Sequence, residues 1–213
     1  MFKSAINIHR FRTTAKAYST YAPKVCLIVG GRKGVGQGIA NELAKRSNNF
    51  PEPFHIITTS SHFSNTPEFE APFYKVRLDV NDKDSVNQAA QWVEDKFGKL
   101  DLLINSIGIL HGSLNDQKFR PEKSVSQINE DWFFENFRIN TYSNVMLAQK
   151  FCPIMSLGEI EQNHAVFAAI SARIGTIQDN TYIFFIFHHY FALSNGQIAG
   201  RADGTVTECR KQL

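Results

Sequence analysis

No aspartate or glutamate precedes Glu42, while Lys3, Arg10, Arg12, Lys16 and Lys24 lie among serine, threonine and alanine. Ile8, Phe11, Ala15 and Tyr18 share one helical face, and Ala17–Thr20 offers a cleavage region. Residues 1–23 therefore read as a mitochondrial presequence, with a basic tail on a cytoplasmic protein as the alternative. The apolar core of a secretory signal is missing. Cysteine is scarce as well: Cys26, Cys152 and Cys209 are far apart, which excludes a disulfide framework and metal-site spacing and fits a reducing compartment. His188-His189 has no third ligand in view, so no metal is expected. The apolar run Tyr182–Phe191 falls short of the roughly 20 residues that cross a bilayer. A net charge of +3 owes much to the basic tail and does not argue for nucleic acid. There is no internal repeat or low-complexity tract, and with 43% hydrophobic residues the chain supports one domain with a real core.

What is present is an alternation of strands and helices. Val25–Val29 is an apolar run that leads into Gly30-Gly31-Arg32-Lys33-Gly34-Val35-Gly36, after which Val35, Ile39 and Leu43 repeat with helical period. Strand, turn and helix in that order suit a phosphate-bearing ligand, because glycine lets the backbone bend sharply and approach the phosphate while helix N–H groups point at it. The spacing differs from G-x-G-x-x-G, and a tight turn that binds nothing is the other reading of the segment alone. Further strands are expected at Phe54–Thr59, Phe73–Val80, Leu100–Asn105 and His164–Ser171. Val86, Ala89, Ala90, Val93 and Phe97 form a helical stripe between the third and fourth, and Trp132–Met155 reads as one long apolar helix after the fourth. The fold class is α/β, a doubly wound parallel sheet of Rossmann-like type, with ligands outside the carboxyl ends of its strands.

With Asn105-Ser106-Ile107-Gly108-Ile109-Leu110-His111-Gly112 after the fourth strand and Ile170-Ser171-Ala172-Arg173-Ile174-Gly175 after the fifth, the chain from Lys24 to Asn180 resembles the short-chain dehydrogenase/reductase family, and these two stretches look most like its C-factor or sniffer branch of carbonyl reductases. Val29 stands where the family's glycine motif begins with threonine. Asp79-Val80 matches its adenine-contacting pair, Asn105-Ser106-Ile107-Gly108 its Asn-Asn-Ala-Gly segment, and Asn140, on a helix closed by Pro153, its structural and catalytic asparagine. The resemblance implies a cofactor site at Gly30, Arg32, Lys33, Gly34, Gly36, Asp79, Val80, Asn105 and Gly108, and a small-molecule carbonyl or alcohol substrate. An acidic residue ending the second strand would favour NAD; Thr58, Thr59, Ser60 and Ser61 stand there instead, and Arg32 and Lys33 suit the 2′-phosphate of NADP. NADP is the expected cofactor, a solvated basic turn being the alternative reading of the pair.

The family's reaction uses a tyrosine as general acid, its pKa lowered by a lysine four residues on, and a serine on the carbonyl. No Tyr-x-x-x-Lys occurs: Tyr182 is followed by Ile186 and Tyr190 by Ser194. Ser171 lies near the serine position, whose aligned residue is Ala172, and Asn140 has either a water-relay role or the role of holding a helix kink by bonding backbone. The expected domain is residues 24–180, incomplete at its C-terminal side. Residues 181–213 form an atypical segment whose composition suggests a transcript variant or frame change. The fifth strand is then expected to be an exposed edge, and the family's homodimer interface to be disrupted. Two functions remain open: an NADP-dependent oxidoreductase with residual or no hydride transfer, or a cofactor- or partner-binding protein without chemistry.

Overall fold

The computed structural model describes residues 23–50, 53–122, 124–155, 165–171 and 206–208. The expected presequence up to residue 22, Ala172, the run Tyr182–Phe191 with its histidine pair, and Cys209 lie outside the described residues.

The first strand, β1 (Val25–Val29), is buried along its whole length, as expected of the central strand of a sheet covered on both faces. Helix α1 (Gly34–Ser47) follows, then β2 (His55–Ser60), a short β3 (Glu68–Glu70), β4 (Phe73–Arg77) and helix α2 (Lys83–Phe97). Asp82 starts α2 by accepting hydrogen bonds from the N–H groups of Asp84 and Ser85, and Gly98, at φ 66°, ends it. After β5 (Leu102–Asn105) comes a hairpin of β6 (Gly112–Leu114) and β7 (Gln117–Phe119), then a single 3-10 turn at Val125–Gln127. The long helix expected over Trp132–Met155 consists of α3 (Glu130–Phe137), a π-helical turn at Arg138–Tyr142 and α4 (Ser143–Met155). Strand β8 (Val166–Ala169) and the three-residue β9 (Val206–Glu208) complete the described elements.

The sheet runs β3-β4-β2-β1-β5-β8-β9. β4, β2, β1, β5 and β8 are mutually parallel where they pair, and the outer strands β3 and β9 are antiparallel to their neighbours. The expected doubly wound α/β fold is therefore present, and its strand order reverses between β1 and β5. Alternate residues of β1 face opposite layers: Ile28 packs with Ile56 and Ala40 on the α1 side, while Leu27 and Val29 join Val86, Val93, Leu147 and Phe151 on the α2 and α4 side. One expectation is corrected here. β8 is not the edge of the sheet, because β9 pairs with it, Val206 opposite Ala168 and Glu208 opposite Val166. A three-residue strand in a polar stretch is too short for alternation to reveal.

Among the described residues, no helix is long and apolar enough to cross a membrane, and no group of three metal-ligating side chains occurs.

Candidate functional site

All five parallel strands deliver their C-terminal ends to one side of the sheet, and the residues singled out from the sequence follow those ends. The glycine turn after β1 is open to solvent at Arg32, Lys33 and Gly34 and buried at Gly31 and Gly36. Gly30 and Gly34 take φ values of 80° and 61°, which L side chains adopt at a cost of about 1–2 kcal/mol. A Cβ on Gly34 would meet no atom within 4 Å, so this part of the turn leaves bare backbone facing open space. Gly36 is constrained differently: a Cβ there would run into Ser106 Oγ and the carbonyl oxygen of Gly30. Helix α1 begins with Lys33 in extended conformation, no side chain caps it, and its first turn holds no acidic residue. Its first N–H groups thus keep the partial positive charge and donor capacity that an anion would use.

The turn is fastened from both sides. The hydroxyl of Ser106 donates to Val29 O at 2.7 Å, and Gly30 N donates to Thr59 Oγ1 at 3.4 Å. A Cβ on Gly31 would lie 2.9 Å from Thr58 Cβ, so the turn leans directly on β2. Thr58 and Thr59 are buried, 4% and 0% exposed, which leaves Ser60 and Ser61 as the polar residues at the open end of β2. His62 joins them: its N–H donates to Ser60 Oγ at 3.2 Å, and its Nδ1 lies 3.1 Å from Ser61 Oγ.

Asp79 follows β4 and is half-buried, one carboxylate oxygen accepting the N–H of Asn81 at 2.9 Å and its own N–H donating to Ser85 Oγ at 3.0 Å. Val80 is 8% exposed and its side chain belongs to the main core, so only its backbone is available to a ligand. Asn105, at the end of β5, turns its amide inward. Its Nδ2 donates to Asn144 Oδ1 at 2.7 Å and Ser143 Oγ at 3.5 Å, and its Oδ1 accepts Ile107 N at 3.1 Å. With 1% exposure, this side chain shapes the site from beneath and presents no polar atom to it. Gly108 is exposed, and a Cβ there would find only Asn140 Oδ1, at 3.5 Å.

Asn140 sits in the middle of the π-helical turn. Its amide bonds the backbone of Ile109 at both ends, Oδ1 accepting Ile109 N and Nδ2 donating to Ile109 O, each at 2.7 Å. Its carbonyl oxygen accepts Asn144 Nδ2 at 3.1 Å, and Ser143 Oγ donates to Ile139 O at 2.6 Å. The side chains of the kink therefore supply bonds that the widened backbone leaves unmade, and the Asn140 amide holds the strap that follows β5. Ser143 and Asn144 were not singled out from the sequence. The signal for them was two asparagines four residues apart on an otherwise apolar helical stripe.

Ser171 lies just beyond β8, exposed, with the preceding Ile170 N donating to Asn105 O at 2.9 Å. The glycine turn, the Asp79 corner, the Ser106–Gly108 strap and Ser171 are thus arrayed along one rim. Tyr182 and Tyr190 fall outside the described residues. The residues of the rim fit the phosphate groups of a nucleotide: an uncapped helix start, a turn whose exposed glycine faces open space, and two exposed cations, Arg32 and Lys33, in no ion pair among the described residues.

Residues 24–183 match the family model described as short chain dehydrogenase, and the chain belongs to that family of oxidoreductases, which bind a nicotinamide cofactor. It is similar to an L-rhamnose 1-dehydrogenase (NADP(+)) of Thermoplasma acidophilum, with 26% identity over 159 residues covering 71% of this chain and 57% of that one. It also matches a farnesol dehydrogenase of Aedes aegypti, with 32% identity over 107 residues covering 47% and 44%. The chain spans about half the length of the curated relatives it matches. Two solved structures share its fold: the carbonyl reductase Sniffer of Caenorhabditis elegans, at 22% identity and TM-score 0.61 over 83% of this chain and 77% of that one, and an NADPH-bound carbonyl reductase from chicken fatty liver, at 20% and 0.62 over 81% and 68%.

Proposed function

We propose that this chain binds NADP(H) as a short-chain dehydrogenase of carbonyl and alcohol substrates, and that hydride transfer in it is slow or lost for want of the Tyr-x-x-x-Lys pair. One observation carries the cofactor choice. Arg32 and Lys33 are exposed and unpaired among the described residues, on a turn that leans on β2, whose open end carries Ser60 and Ser61 and no carboxylate. In this reading the two cations take the 2′-phosphate, the α1 amides beside Gly34 and Gly36 take the pyrophosphate, and Asp79 takes the adenine amino group. Ser106 and Asn105 keep the turn and the strap in place, and Gly108 leaves room above Asn140. Bound NADPH supplies the hydride. Ser171 would polarise the carbonyl, and no described side chain stands in for the tyrosine as proton donor. Among the relatives, the L-rhamnose dehydrogenase named for NADP(+) and the NADPH-bound chicken reductase support the phosphate-bearing cofactor.

The absent pair favours a second reading, cofactor binding without chemistry. Titrating NADPH and NADH into the wild type and into an Arg32→Ala/Lys33→Ala variant tests both. Expected is a loss of roughly 1–3 kcal/mol in NADPH affinity and little change for NADH. Equal losses for both would overturn the phosphate assignment. With NADPH and a panel of reactive aldehydes and ketones, turnover should fall about 10²–10⁴-fold below that of a reductase with a positioned acid. For localisation, residues 1–23 are proposed as a mitochondrial presequence; a reporter carrying them and staying in the cytoplasm would refute this.

A further inference from the structure

The hairpin between β5 and α3 has no place in the cofactor reading, yet its turn and its packing are closely specified. Its two-residue turn is Asn115-Asp116, both at positive φ (50° and 63°), the backbone that a tight hairpin demands. Gly112 pairs with Phe119 and Ser113 with Lys118. Side chains on directly opposed residues share a face, so Phe119 lies on one face and Lys118 and Ser113 on the other, and the same register sets His111 beside Arg120 on that second face. The first face is pinned to α3. The Phe119 and Trp132 rings stack with centroids 4.9 Å apart and 6° between planes, and a Cβ on Gly112 would lie 2.9 Å from Trp132 Cη2. Trp132 is 2% exposed, so the hairpin is held against a rigid post. Asn129 accepts the Trp132 N–H at 2.9 Å and fixes the helix start beneath it.

A cavity of about 450 Å³ opens at this hairpin, with His111, Lys118 and Arg120 in its lining together with Ser113, Phe119 and Pro121. The hollow is open to solvent, and His111, Ser113, Lys118, Arg120 and Pro121 are exposed around it. Among the described residues no carboxylate lines it. Lys118 and Arg120 form no ion pair among the described residues, and the acid of the hairpin itself, Asp116, sits at the turn and not in the lining. Two unpaired cations and a histidine on one face, beside the ring of Pro121, suit an anion carried on a small apolar body. The cavity also starts close to the rim: His111 is two residues, at most about 7 Å of chain, from the Ile109 backbone that Asn140 grips.

We propose that this hairpin cavity binds the carboxylate or phosphate group of a small organic molecule, and that the molecule is the carbonyl or alcohol substrate of the site. The anion site stands on the hairpin alone, whereas its occupant's being a substrate rests on the oxidoreductase reading above. The chain has two tryptophans, so in a Trp92→Phe background the fluorescence of Trp132, stacked on Phe119, reports on the cavity. The probes are 3-phenylpropionate, phenyl phosphate and, as the uncharged control, 3-phenylpropanol, with calorimetric titration as a second reading. Saturable binding of at least one anion is expected, at least tenfold tighter than the alcohol and weakened at least tenfold in Lys118→Gln/Arg120→Gln. Whichever anion binds more tightly names the group. No binding by either method, equal affinity for the alcohol, or affinity unchanged in the double variant would overturn the proposal. NADPH titrated into the same variant should keep its affinity within twofold, so a failure of cofactor binding and a failure of the hairpin site are read separately. Preincubation with NADPH that alters the affinity for the anion supports a shared site with the cofactor, and an anion affinity indifferent to NADPH overturns the assignment of the occupant as substrate.

Discussion

The two ends of the same parallel sheet treat their polar groups in opposite ways. At the N-terminal end nearly everything is spent internally. Asp101 accepts Val25 N at 2.8 Å, pairs with Lys99 at 3.0 Å and Lys24 at 3.6 Å, and ties β8 through Val166 N to its carbonyl at 2.9 Å. His55 starts β2 against Phe97 and Tyr74, and Lys96 lies 5.1 Å from the Tyr74 ring centroid. At the C-terminal end the groups nearest the core close on one another, through Asn105, Ser143, Asn144 and Asn140, but the outer ones stay open: the α1 amides, Arg32, Lys33 and Gly108. The sheet alone does not distinguish its ends. What differs is whether a polar group already has a partner, and an end that leaves several without one has room for a charged ligand.

The sharpest test of this contrast is a pair of glycines in one helix. Gly36→Ala puts a methyl into Ser106 Oγ and the Gly30 carbonyl, neither of which is the free end of a long side chain. It should cost stability at the upper part of about 1–3 kcal/mol and weaken NADPH binding more than tenfold, since the turn must shift. Gly38→Ala, two residues on, meets nothing within 4 Å and should stabilise α1 by about 0.5–1 kcal/mol. Chemical denaturation of both variants, with NADPH titration, checks it; similar stability changes would mean that the contact with the β5 strap does not constrain the turn.

At the opposite end, Asp101→Ala strands the Val25 N–H and releases two lysines. A loss of about 1–2 kcal/mol is expected, most of it from the unpaired N–H because exposed ion pairs contribute little. Asp101→Asn retains an acceptor and should lose less. Neither variant should alter NADPH affinity. If either does, the two ends are coupled and the comparison fails.

The main elements were legible because their signals are long. Val25–Val29 is apolar throughout, α2 carries its stripe between an aspartate cap and a glycine stop, and four ordered motifs marked the rim. What escaped was short or directional. The hairpin strands have three residues each, below the length at which alternation can be recognised, although the Asn115-Asp116 turn between them was in plain view. The π-helical turn leaves no trace in a periodic pattern, since the apolar residues on either side still repeat. A motif match located Asn105 but not the direction of its amide, which points into the α3–α4 kink and not out to a ligand. Thr58 and Thr59 matched a position by strand-end counting, while β2 runs one residue further and buries both.

The smallest effect expected is a pH dependence at the closed end. Burial against Phe97 and Tyr74, followed by the positive charges of Lys96 and Lys99, lowers the His55 pKa below its ordinary 6.5. The folded state therefore resists protonating His55 more than the unfolded chain does. Above about pH 6.5 the ring is neutral in both states and exerts no pull on the equilibrium. As pH falls below that value the unfolded chain takes up the proton first, and stability declines until the folded-state pKa is also passed. The residue is only half-buried, so screening keeps the effect small. Melting temperatures measured from pH 8 to pH 5 in wild type and His55→Phe should diverge only in the acidic half of that range, with the wild type losing more. The same titration of NADPH affinity should not distinguish the two proteins, because His55 lies at the far end of β2 from Ser60 and the glycine turn. A cofactor affinity that follows the His55 titration would join the two ends of the sheet that its hydrogen bonds keep apart.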